Sequence, residues 1–72
     1  MKQDKEIEKS YTKKAVAAKL RRLADSLENS KPCQIQIAGE RIHIPPTATV
    51  EFEYSRNGAE EEVEIEVKWR RK

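Results

Sequence analysis

A chain of 72 residues, 36% hydrophobic and 39% charged, has room for one small domain, read here as residues 1–72 with an ordered core from about 6 to 69. Its formal charge of +2 is too small to make it a nucleic-acid binder as a whole molecule, and a single cysteine, Cys33, excludes an intramolecular disulfide framework. The charged start Met1–Glu6 is followed by no apolar run, so neither a signal peptide nor a membrane span is expected and the protein is placed in the cytoplasm.

The first organised segment runs from about Thr12 to Glu28, where Val16, Leu20, Leu23 and Leu27 recur at the spacing of a helical stripe, widened by Ala17 and Ala24. Thr12 is the expected N-cap, and Asn29, Ser30 and Pro32 supply the stop, with Asn29 as the left-handed residue. Before the helix, residues 5–9 offer only Ile7 for burial, which leaves an extra N-terminal strand open.

Two short strands follow, Cys33 to Ile37 and Arg41 to Ile44. With Gly39 and Glu40 at the centre of a type II′ turn, Ile37 faces Ile42 and Ile35 faces Ile44. Pro45-Pro46 interrupts the ladder, and a third strand from Thr49 to Ser55 presents Val50, Phe52 and Tyr54 on one side. The last, Glu60 to Trp69, alternates apolar and acidic residues with period two. Asn57-Gly58 at the centre of a type I′ turn sets Phe52 against Val63 and Val50 against Ile65. The fold expected is α+β: one amphipathic helix on one face of a four-stranded antiparallel sheet.

Charge is segregated along this framework. The expected register puts Glu51 against Glu64 and Glu53 against Glu62, with Glu66 on the same face, and like charges directly opposed are unfavourable. Two readings stand side by side: a solvated face whose charge is offset by Lys68, Arg41 and His43, or a docking face for a basic protein partner. A calcium site is a poorer match, since a flat strand presents carboxylates badly for it. Lys13, Lys14, Lys19, Arg21 and Arg22 surround the outer side of the helix and, with Arg70, Arg71 and Lys72, form the alternative, a phosphate-contacting surface for nucleic acid. Self-association of the acidic sheet with the basic helix belongs with the protein-binding reading and weakens as salt rises.

No catalytic, metal, cofactor or small-molecule constellation is present in the residues. Cys33 has the inward parity of Ile35 and His43 the outward parity of Arg41, so the two are expected on opposite faces and form no dyad. Trp69 shares the parity of Val63, Ile65 and Val67 and is expected to close one end of the core.

The helix 15–28, the segments Ile42-His43-Ile44-Pro45 and Val50-Glu51-Phe52-Glu53-Tyr54, and the ending Glu64-Ile65-Glu66-Val67-Lys68-Trp69 together resemble an amphi-Trp domain, a small prokaryotic family named for its amphipathic C-terminal strand ending in tryptophan. The likeness spans about residues 6–69 and rests on the order and spacing of the pieces. It implies no activity, cofactor or catalytic residue. The functional expectation is therefore a non-enzymatic protein-interaction module without a cofactor or membrane contact.

Overall fold

A computed structural model describes residues 4–71, with α1 at Lys13–Glu28, β1 at Cys33–Ile37, β2 at Glu40–Ile44, β3 at Thr49–Asn57 and β4 at Glu60–Lys68. The α+β class holds. The four strands, however, form two separate antiparallel hairpins, β1–β2 and β3–β4, rather than one continuous sheet.

Local chemistry explains the ends of α1. Thr12 has extended backbone, and its Oγ1 accepts from the Ala15 N–H at 3.2 Å, satisfying one of the orphan donors of the first turn. At the other end the Lys31 N–H reaches the Ser26 carbonyl at 2.9 Å and the Ser30 N–H the Leu27 carbonyl at 3.3 Å, the paired bonds of a Schellman ending. The left-handed residue is Ser30, at φ 53°, not Asn29, whose φ is −100° and whose Nδ2 instead donates to the Asp25 carbonyl at 2.8 Å. Ser30→Gly removes the cost of holding a β-carbon in that region and is expected to stabilise the protein by about 0.5–1 kcal/mol, read as a raised urea midpoint at unchanged slope. A lowered midpoint contradicts this account of the cap.

Both hairpins depart from the expected register by two residues, and the reason is the same in each. In β1–β2 the turn is Ala38-Gly39, both at positive φ (50° and 83°) as a type I′ turn demands, and Ile35 faces Ile42. This register seats Cys33 opposite Ile44; the expected one would have set it against Pro46, which has no N–H for a ladder. In β3–β4 the turn is Gly58-Ala59, with only Gly58 at positive φ (64°), and Val50 faces Val67, Phe52 faces Ile65 and Tyr54 faces Val63. Three apolar cross-strand pairs form where the expected register made two between the strands. A slip of two residues keeps every side chain on its face, so the amphipathic character survives the shift.

The core lies where α1, β1 and β2 meet. Leu23, Cys33 and Ile44 are its buried hydrophobic residues, with Ile35, Ile42, Ala48, Val67 and Trp69 packed against them. Of the predicted helical stripe only Leu23 is buried; the helix leans, so that Ser26 goes inward and Val16, Leu20 and Leu27 stay exposed. The Ser26 hydroxyl is satisfied by donating to the Leu23 carbonyl at 2.9 Å.

No strand forms over residues 4–11. That segment is tied down by side chains: Tyr11 donates through its hydroxyl to the Gln36 carbonyl at 3.3 Å and accepts from the Ala38 N–H at 3.0 Å. Lys19 Nζ also donates to the Gln36 carbonyl, at 2.7 Å. These two side chains occupy an acceptor on the free edge of β1 that an added strand would need.

The β3–β4 hairpin is rooted at the core through Ala48, Val67 and Trp69, and the backbone of its strands stays apart from that of α1. The radius of gyration is 14.0 Å, against about 11 Å for a compact domain of this length.

Candidate functional site

Pleating sorts the β3–β4 side chains into two opposed surfaces. One carries Val50, Phe52, Tyr54, Val63, Ile65 and Val67; the other carries Glu51, Glu53, Glu62, Glu64 and Glu66. Glu51 lies directly opposite Glu66 and Glu53 opposite Glu64, while Glu62 faces Ser55. The pairings expected from sequence, Glu51 with Glu64 and Glu53 with Glu62, are thereby corrected, and the acidic row itself remains.

Lys68 relieves this row only at its root, with Nζ 3.4 Å from Glu66 Oε1 and 3.9 Å from Glu51 Oε1. Arg41 and His43, expected to help, belong to the other hairpin and pair with none of these carboxylates among the described residues. Toward the tip the glutamates therefore repel one another. The negative charges of Glu62 and Glu53, and the hydrogen bond with Glu53, hold the Glu64 carboxyl above its ordinary value, with smaller contributions from desolvation and Glu66.

The folded state thus holds the Glu64 proton more tightly than the unfolded chain. Between the ordinary and the raised value the native state binds more protons, so stability falls as pH rises through that window, and above it the repulsion is fully present. Acidifying from neutrality through this window is expected to raise the protection factors of the β3 and β4 amides, taken against intrinsic exchange at each pH, and Glu64→Gln is expected to flatten that response. An identical pH response in both proteins contradicts the assignment.

The basic residues do not converge on one surface. Lys13, Lys14, Arg21 and Arg22 are exposed on α1, but Lys19 is half-buried, bonded to Gln36 and lying 4.6 Å from the Tyr11 ring centroid, and so is not free for a phosphate. Arg70 and Arg71 line a shallow groove with Trp69, Pro45, Pro46 and His43, at the root of the second hairpin rather than beside the exposed helix cations. Lys72 lies outside the described residues.

Cys33 is buried, its Sγ 3.9 Å from the Arg22 carbonyl, whereas His43 is exposed one position from the Cys33 partner Ile44, on the opposite face of the hairpin. Among the described residues no group of three or more His, Cys, Asp or Glu is placed to hold a metal ion. Trp69 is half-buried against the core, closing its end as its parity predicts. Tyr11 was not singled out from sequence as a fastener; a lone aromatic just before a helix N-cap, flanked by Lys9 and Lys19 stacking on its ring at 5.3 and 4.6 Å, is the signal that marks it.

A helix N-terminal to two antiparallel hairpins, the last strand of which alternates apolar and acidic residues and runs into a tryptophan packed on the core, defines a small α+β domain of amphipathic-strand type. Residues 1–72 match the model of the Amphi-Trp domain, and the chain belongs to that family. No curated protein and no solved structure gives a significant match. Among the described residues no helix is long and apolar enough to cross a membrane.

Proposed function

We propose that this protein is a non-enzymatic interaction module of the cytoplasm whose acidic β3–β4 face docks a basic segment of another protein. The observation that carries this reading is the pairing of Glu53 with Glu64 across the strands, with the Glu64 carboxyl raised by its neighbours. A row that repels itself in the free protein exchanges repulsion for attraction when a cationic chain lies along it, so the relief adds to binding. Along each strand the glutamates recur at alternate residues, about 7 Å apart, which an extended segment of alternating lysines matches.

The nucleic-acid reading through the helix draws less support, because Lys19 is engaged and Arg70 and Arg71 sit elsewhere. The test is the affinity of the protein for an extended peptide of alternating Lys and Ala, set against a variant with Gln at 51, 53, 62 and 64. Binding lost in the variant, with stability kept or raised, fits the docking role. A clear loss of stability makes the carboxylates structural and removes the reason for a docking face.

A further inference from the structure

Two grooves meet on Trp69 at the root of the second hairpin. One, of about 500 Å³, joins the apolar surfaces of Ile44, Pro45, Pro46 and Trp69 to the cations Arg70 and Arg71. The other, of about 630 Å³, shares Thr47, Trp69, Arg70 and Arg71 with it and extends to Thr49 and Lys68, where β3 begins and β4 ends. Both volumes are those of ligand clefts, roughly 300–1,000 Å³. None of the chain's 13 acidic residues lines either groove. Among the described residues Arg70 and Arg71 form no ion pair, whereas Lys68 is engaged by Glu51 and Glu66.

We propose that these grooves bind a short single-stranded segment of nucleic acid, with one base against Trp69 and the flanking phosphates on Arg70 and Arg71. This goes beyond the acidic docking face and does not depend on it.

Three features point to this occupant. The first is charge beside an apolar surface. Guanidinium groups without a carboxylate partner, next to Trp69 and two prolines, select a ligand that carries negative charge close to a flat apolar group. A nucleotide holds both in one unit and repeats them along the strand, so a base on Trp69 leaves a phosphate on either side, where the two grooves run. In an acidic peptide the carboxylates and the apolar side chains come from different residues. The second feature is access. Trp69 is half-buried between the grooves rather than projecting from the surface, so a base reaches it only when it is free of a duplex. The third is preorganisation. Ile44 is buried, Trp69 packs against it, and the Ala48 N–H donates to the Pro45 carbonyl at 3.1 Å, which closes the turn that carries Pro46. Little ordering is left for the ligand to impose. The glutamates toward the hairpin tip repel phosphates, and the two nearest the root are paired by Lys68, so the bound segment stays at the root and its footprint is short.

Trp69 is the chain's only tryptophan, so its fluorescence reads the site directly. Titration of the full chain with a short oligothymidylate at low salt is expected to quench that emission. The logarithm of the affinity is expected to fall against that of salt with a slope of about −1.4, for two phosphates at ~0.7 each. Replacing both arginines, Arg70→Gln with Arg71→Gln, is expected to weaken binding on the order of tenfold, while Lys13→Gln with Lys14→Gln on α1 leaves it unchanged. Should the arginine variant fail to fold, NMR of the unmodified protein decides, with oligonucleotide-induced shifts expected at His43, Thr47 and the Trp69 indole. Absence of both quenching and shifts at low salt overturns the proposal, and so does affinity that survives the loss of both arginines. Polyglutamate that displaces the oligonucleotide at equal charge concentration overturns it by assigning the grooves to acidic peptides. A duplex, or free thymidylate, that binds as tightly as the single strand overturns it as well, since the first needs no stacking and the second no strand. The acidic face is tested separately by its peptide, so either reading can fail alone.

Discussion

Ile44→Ala is expected to cost about 3 kcal/mol and to leave the protein only marginally stable at room temperature. Ile44 ends β2, is only 7% exposed, and stands across from Cys33 at the one place where both hairpins and α1 share a core. Removing three carbons there forfeits transfer free energy and leaves a cavity, together about 2–5 kcal/mol for such a truncation. A domain of this length has total stability on the order of 4–11 kcal/mol, and one with so few buried apolar side chains belongs at the lower end. Leu23→Ala should have the same consequence from the helix side. Urea unfolding followed by the fluorescence of Trp69, which packs on this cluster, reads both. A loss below about 1 kcal/mol in both variants, typical of surface positions, would place the core elsewhere.

Glu53→Lys is expected to strengthen the hairpin and to weaken binding of the Lys-Ala peptide about tenfold. The two effects separate because the carboxylate serves them oppositely. In the free protein the substitution sets a lysine directly across from Glu64, turning a repelling pair into an attracting one, so the melting temperature rises. For the bound peptide it replaces an attraction by a repulsion. Adding Glu64→Lys restores like charge across the strands with the opposite sign, which lowers the melting temperature again and abolishes measurable binding. The affinity of the unmodified protein should fall steeply between low and physiological salt, because exposed charge pairs are screened over about 8–10 Å. Binding that tracks stability through the series, rather than opposing it, contradicts a docking role.

The period of the pattern survived into the structure better than its register. Alternation from Glu60 to Lys68 fixed which residues share a face, and the N-cap at Thr12 followed from a single side-chain oxygen. Turn identity was less legible. Asn57-Gly58 is the strongest hairpin signal in the chain, yet a turn one residue later adds the Tyr54–Val63 pair, and packing along nine residues outweighed the preference of one dipeptide. Ala38 at positive φ was hidden for a related reason: the gain from pairing Cys33 with Ile44 lies at the far end of the hairpin from the residue that bears the strain.

The lean of α1 was not legible at all. Val16, Leu20, Leu23 and Leu27 make one stripe in sequence, and nothing in their spacing says that β1 will take only Leu23 and, beside it, Ser26. The candidate acidic site was legible as a face, because parity alone assembles it. Its pairings and the isolation of Lys68 at one end were not, since both depend on the register and on the division of the strands into two hairpins.

The most direct test of the acidic docking face is residue-resolved NMR of the labelled protein, titrated with the Lys-Ala peptide and, in parallel, with single-stranded and duplex nucleic acid at low and near-physiological salt. The expected result is peptide-induced shifts along residues 51–55 and 60–66, centred on Glu53 and Glu64, with the helix amides undisturbed. Silence of those strands toward the peptide, together with nucleic-acid shifts at Lys13, Lys14, Arg21 and Arg22 that fade with salt, would contradict it and assign binding to the helix instead.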